Sequence, residues 1–136
     1  KSIVGYLNLK SSDQTITTLD LNYSYGFSIL NTHIYSGASI VVTNKSLLEK
    51  EFWSLYKNNR ITNISGVPTI YYILKRLKFL EKYLKNIKFL TAAGGKLDLD
   101  TLLYFTKKIN KKKKIFIICM VKPKLRLECH LLRTKT

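Results

Sequence analysis

Acidic residues are scarce in this sequence: eight Asp and Glu face 24 Lys and Arg, leaving a formal net charge of +16. A surplus of that size points first to nucleic acid or an anionic surface. Its distribution argues for something plainer. Twenty of the 24 basic residues are Lys, most stand scattered, and the only run is Lys111–Lys114. Ile, Asn and Tyr, also abundant, share A/T-rich codons with Lys. Dispersed lysine gives a soluble surface with weak polyanion attraction, and it does not make a base-reading surface. Long apolar stretches are missing too, none reaching the roughly 18 residues of a membrane-spanning helix. The opening Lys1-Ser2-Ile3-Val4-Gly5-Tyr6 lacks the apolar core and small-residue cleavage site of a secretory signal. It also lacks an initiator Met, so the expectation is a chain that begins mid-protein, with a cytoplasmic location. The two cysteines, Cys119 and Cys129, have no metal-ligand or redox spacing and are expected to be unpaired thiols without a function.

Phosphate cradles of the familiar kinds are also absent, since neither G-x-x-x-x-G-K-[ST] nor G-x-G-x-x-G occurs. No two carboxylates are spaced as an obvious acid/base pair. His33 falls inside a helical pattern and His130 near the chain's end, and neither has a nucleophile or carboxylate that sequence alone nominates. No catalytic or metal-binding residue is therefore assigned.

What is present is enough for a core. Hydrophobic residues make up 46% of the 136, with nine Tyr and six Phe, far above a disordered chain. The length fits one domain at most. Short β-branched runs alternate with helical segments. Strands are expected at Gln14–Leu21, Ser39–Thr43, Ile61–Ser65, Lys88–Ala92 and Ile115–Met120. The second, apolar at its centre, reads as a parallel strand buried on both faces. Helices are expected over Tyr25–Tyr35, from a Ser46/Glu49 capping box with Leu48, Phe52, Leu55 and Tyr56 inward, over Thr69–Leu80 behind Pro68, and from Asp98 or Asp100 to Ile109. Lys1–Leu9 reads as the close of a helix. Strands recurring about every 20–25 residues with helices between them imply an α/β fold, a parallel-sheet βα repeat.

In such sheets ligands bind where strands run into helices at their carboxyl ends. Three loops qualify: Asn22-Tyr23-Ser24-Tyr25-Gly26, Gly66-Val67-Pro68-Thr69 and Ala92-Ala93-Gly94-Gly95-Lys96-Leu97. Each also has a purely structural reading. Paired glycines after a strand are usually a tight turn, Gly-Val-Pro is ordinary punctuation, and Tyr23 and Tyr25 serve equally well as aromatics packed at a sheet edge.

Taken in order, the three loops resemble successive landmarks of the adenylate-forming (AMP-binding) acid ligases, the acyl-CoA synthetase superfamily. Leu19-Asp20-Leu21-Asn22-Tyr23-Ser24-Tyr25-Gly26 leads to Tyr35-Ser36-Gly37-Ala38-Ser39-Ile40-Val41-Val42. Ile64-Ser65-Gly66-Val67-Pro68-Thr69 follows, then Leu90-Thr91-Ala92-Ala93-Gly94-Gly95-Lys96-Leu97. The match covers about Gln14 to Ile118. The resemblance implies part of the large domain of such a ligase, with Tyr23, Tyr25, Gly26, Val67 and Pro68 on the acyl or aryl pocket and Ala93, Gly94, Gly95 and Lys96 on the adenine side. Asp20 departs from it, standing where the family usually has Pro. It implies an ATP- and Mg²⁺-dependent activation of a small carboxylic acid to an acyl-adenylate. Transfer to a thiol follows, from coenzyme A or a carrier-protein pantetheine.

Residues 1–120 thus read as a partial ligase domain, and residues 121–136 as something else. All fourteen Ile, nine Asn, nine Tyr and six Phe precede Cys119, whereas both Cys fall at or after it. The resemblance calls for Tyr-Gly-Gln-Thr-Glu after the fifth strand, and the chain has Cys119-Met120-Val121-Lys122-Pro123 instead. Back-translating Cys119–His130 and dropping two bases recovers Tyr-Gly-Gln-Thr-Glu-Ala-Thr-Pro-Arg-Met-Ser. The Gly is forced by Met120-Val121, whereas other codons were partly free. The expectation is a single-base frameshift near Ile117–Ile118 and an out-of-frame tail. Without the phosphate loop, the glutamate motif and the C-terminal lid, the chain is expected to be inactive and to bind no cofactor. The alternative is a small basic α/β module binding nucleic acid or another polyanion.

Overall fold

The computed structural model describes residue 5 and residues 7–111, 115–122 and 126–131. Most of the helix end expected over Lys1–Leu9 lies outside them. The chain divides into two compact units, Lys1–Ile64 and Ser65–Thr136.

In the first unit the elements run β1 (Gln14–Ile16), α1 (Ser24–Tyr35), β2 (Ser39–Val41), α2 (Lys50–Asn58) and the start of β3 (Asn63–Gly66). β1 lies between parallel neighbours, pairing Gln14 with Ser39 and Ile16 with Val41 on one side and Thr15 with Asn63 on the other. β1 is shorter than the strand expected over Gln14–Leu21, and just beyond it Thr17 N–H still donates to the Val41 carbonyl at 3.0 Å. The Thr17 hydroxyl accepts from Thr43 N–H at 2.8 Å and donates to the Thr43 carbonyl at 2.9 Å.

Two expectations are corrected here. β2 has β1 on one side only and stands at the sheet's edge. Ser39 is exposed, Ile40 and Val41 are half-buried, and Val42 beyond them is 65% exposed. An apolar run does not by itself distinguish an edge strand from a central one. The Ser46/Glu49 box does form, with Ser46 N–H donating to Glu49 Oε1 at 2.7 Å and Leu48 N–H to Ser46 Oγ at 3.2 Å. It closes a turn ahead of the helix, which begins at Lys50. That turn buries Leu47 and leaves Leu48 71% exposed, while Phe52 and Tyr56 point inward as expected.

In the second unit the order is the end of β3, α3 (Pro68–Arg76), α4 (Phe79–Lys82), β4 (Phe89–Ala92), α5 (Leu99–Lys111), β5 (Ile115–Lys122) and β6 (Arg126–Leu131). β4 pairs in parallel with β5 from Phe89↔Ile115 to Ala92↔Ile118. Every residue of β3 and β4 is buried, as parallel strands covered on both faces should be. Pro68 sits in the first turn of α3, where its missing N–H costs nothing. The single helix expected over Thr69–Leu80 is broken. Lys78 adopts φ +54° and ends α3 after Arg76. Tyr71 and Leu74 share one buried face, which a continued helix would not extend to Phe79 and Leu80. The break re-aims those two side chains into the core, where they are 0% and 5% exposed. β5 continues to Lys122, and β6 pairs antiparallel with it, setting Cys119 opposite Cys129 in backbone register. From the sequence no strand is expected over Arg126–Leu131.

Candidate functional site

The second unit brings two of the three candidate loops together. β3 ends at Gly66 and β4 at Ala92, and the Ala93 N–H donates to the Gly66 carbonyl at 3.1 Å. A Cβ on Gly95 would stand 3.1 Å from Pro68 Cγ, so the Gly-Val-Pro turn and the Ala-Gly-Gly turn are packed side by side. Gly94 has φ +82°, which L side chains rarely adopt. Gly94, Gly95 and Lys96 are exposed, bracketed by buried Ala93 and Leu97. The Asp98 carboxylate then accepts from Thr101 N–H at 2.8 Å and caps α5. That bond holds its carboxyl below the ordinary value. The outcome is an exposed ledge of near-bare backbone between a strand and a helix, open to close approach by a flat ligand.

Beneath the ledge lies a polar support that the sequence reading missed. Thr91 Oγ1 donates to Ser65 Oγ at 2.7 Å, and the Tyr71 hydroxyl donates to the Thr91 carbonyl at 2.5 Å. The Tyr71 ring is wedged edge-on against Phe105, centroids 5.1 Å apart, with Phe116 at 5.4 Å. Nothing local flags this cluster, because its members meet only through pairing of β3 with β4 and the packing of α3. Ala93 itself is buried with its N–H committed to Gly66, leaving Gly94, Gly95 and Lys96 as the accessible part of the turn.

The third loop belongs to the first unit. Asp20 Oδ1 accepts from Asn22 N–H at 2.8 Å, and the Asp20 carbonyl accepts from Tyr23 N–H at 3.1 Å. The carboxylate in the unexpected position thus closes a turn that leads into α1. Tyr23 precedes the helix and is 43% exposed, Tyr25 is half-buried, and Gly26 is buried against that turn. A Cβ on Gly26 would lie 2.2 Å from the Asp20 carbonyl oxygen. Elsewhere in this unit a shallow groove of about 650 Å³ lies between the residues after β2 and α2, lined by Val42, Lys45, Glu51 and Leu55 among others. None of the expected site residues lines it. Among the described residues no three His, Cys, Asp or Glu side chains gather as a metal site, and no helix is long and apolar enough to cross a membrane.

These turns lie within the span, residues 2–117, that matches the family described as AMP-binding enzyme. The chain belongs to the AMP-binding enzyme family. Solved structures repeat the fold at low identity. CmiS6 superposes with a TM-score of 0.79 at 13% identity, over 96% of this chain and 32% of that one. The o-succinylbenzoate CoA synthetase MenE of Bacillus subtilis, solved with its acyl-adenylate intermediate, superposes at 0.68 and 17% identity over 87% and 23%. The same synthetase with ATP and magnesium gives 0.65, again over 87% and 23%. This AMP-binding chain therefore spans less than a third of the length of each of these structures. No curated protein matches its sequence.

Proposed function

We propose that the chain is a section of an ATP-dependent ligase that activates a small carboxylic acid as its acyl-adenylate and passes the acyl group to a thiol of coenzyme A or carrier-protein pantetheine. The observation that carries this reading is the pairing of the Gly66–Pro68 and Ala93–Lys96 turns at the carboxyl ends of adjacent strands, in a chain of the AMP-binding family. Gly94, Gly95 and Lys96 suit the adenine side, because a backbone without side chains lets a purine face come close. Val67 and Pro68, in the turn beside that ledge, are assigned to the acid pocket. Among the described residues no three His, Cys, Asp or Glu side chains gather to hold magnesium. Charge developing on the α-phosphate needs donors and a cation, and no phosphate loop occurs in the 136 residues.

The reading extends to the coding frame. The family match stops at residue 117, beside the point where the composition changes and where codons can be chosen that write Tyr-Gly-Gln-Thr-Glu in the neighbouring frame. Antiparallel pairing of β6 is compatible with an out-of-frame tail, since its ladder uses backbone groups that every residue carries. The test is pyrophosphate exchange into ATP across a panel of carboxylic acids. The 136-residue chain is expected to show none, whereas a gene with restored frame and its flanking coding sequence shows exchange with one acid class. Exchange by the chain alone overturns the reading. Salt-sensitive nucleic-acid binding that ATP does not affect favours the basic module instead.

A further inference from the structure

Four buried polar side chains of the first unit are joined in series. His33, in the last turn of α1, is 1% exposed, Asn63 0%, Thr62 9% and Asp13 2%. His33 Nδ1 lies 2.8 Å from the Ile29 carbonyl, which only accepts, so this nitrogen carries a proton. Nε2 lies 3.3 Å from Asn63 Oδ1. Asn63 Nδ2 donates to Thr62 Oγ1 at 3.4 Å, and that hydroxyl donates to Asp13 Oδ1 at 3.0 Å. Thr62 Oγ1 also accepts the Gln14 N–H at 3.0 Å, and Asp13 Oδ2 accepts the Lys10 N–H at 2.9 Å. The series therefore ties α1 to β3 and to the turn entering β1.

Donation in this direction requires a second proton on Nε2, making the ring an imidazolium. Three elements face it: α1 offers the Ile29 carbonyl, β3 the Asn63 amide, and the turn before β1 the Asp13 carboxylate. Burial acts against the charge and pushes His33 below its ordinary value, outweighing those bonds and Asp13. A neutral ring has a bare Nε2 that needs a donor. Rotating the Asn63 amide by half a turn supplies Nδ2 and swings Oδ1 toward Thr62. The Thr62 hydroxyl then donates to the amide in place of Asp13 Oδ1, and the Asp13 carboxylate keeps the Lys10 N–H.

The geometry points to a proton-linked relay in which one proton on His33 reverses the hydrogen bonds of Asn63 and Thr62 as far as Asp13. α1 opens at the Tyr23–Gly26 turn, so the proton acts on the same element that carries candidate pocket residues. The folded ring holds its proton less tightly than the ordinary value of 6.5, so unfolding takes a proton up as pH falls. The folding constant is thus intact above about 6.5 and drops up to tenfold per pH unit below it, until the folded ring titrates.

Urea unfolding of the full chain from pH 7.5 to 5, with the His33 ring followed by NMR, tests this. The wild-type chain is expected to lose stability below about pH 6.5, and His33→Gln to lose less by the slope of one proton. Asn63→Asp, which sets a carboxylate against Nε2, moves the His33 titration upward. If His33→Gln fails to fold, the ring titration and Asn63→Asp decide. A ring that titrates at its ordinary value, an Asn63→Asp titration that does not move, or matching pH profiles for wild type and His33→Gln overturns the relay.

Discussion

Asp20, a departure from the resemblance, and Gly26, a candidate pocket residue, meet in one structural role at the turn into α1. Asp20 is conspicuous because the resemblance calls for Pro, and its carboxylate accepts from Asn22 N–H to close the turn into α1. Gly26 is required because the Asp20 carbonyl occupies the space its side chain would fill. Gly26→Ala is expected to destabilise by about 3 kcal/mol or more, the upper end of overpacking costs, measurable by urea unfolding. At the paired glycines the two positions differ. Gly94→Ala is strained by its positive φ and costs about 1–2 kcal/mol, whereas Gly95→Ala sets a Cβ 3.1 Å from Pro68 Cγ, a contact tight enough that the Pro68 ring must give slightly. The dipeptide was legible in sequence, but which glycine answers to conformation and which to packing was not. Tyr71→Phe keeps the ring contacts and removes the bond to the Thr91 carbonyl, an expected loss of about 1 kcal/mol.

Element boundaries follow from competition between local signals and burial. The Ser46/Glu49 pattern is a true local signal and makes its bonds, yet the helix starts four residues after Ser46, which exchanges the roles of two adjacent leucines. Leu47→Ala is expected to cost about 2–5 kcal/mol, and Leu48→Ala almost nothing, a contrast that parallel thermal melts resolve. Lys78 stops α3 in a left-handed conformation with no glycine to announce it. Lys78→Gly is expected to stabilise by up to about 1 kcal/mol, and Lys78→Val to destabilise. At α5 the cap is ionic in character. The Asp98 carboxyl is held below its ordinary value by the Thr101 N–H, so its contribution is present above the unfolded carboxylate pKa and lost as pH falls through the folded value. Asp98→Ala should remove that acid-sensitive part of the unfolding curve.

For the whole molecule, the decisive measurements are pyrophosphate exchange and the coding DNA around Ile117–Ile118. A coding string that cannot yield Tyr-Gly-Gln-Thr-Glu in the neighbouring frame removes the frameshift, and the tail is then native sequence. The sequence by itself determined the α/β alternation and the family, because periodicity, turn chemistry and the order of turn motifs are linear properties of a chain. Only the tertiary structure decided that β2 is an edge, that Gly95 leans on Pro68 and that Tyr71 props Thr91. These depend on partners far apart in the chain, such as Thr15 and Asn63 at 48 residues or Tyr71 and Thr91 at 20. Strand pairing and burial select such partners, and no local pattern encodes them.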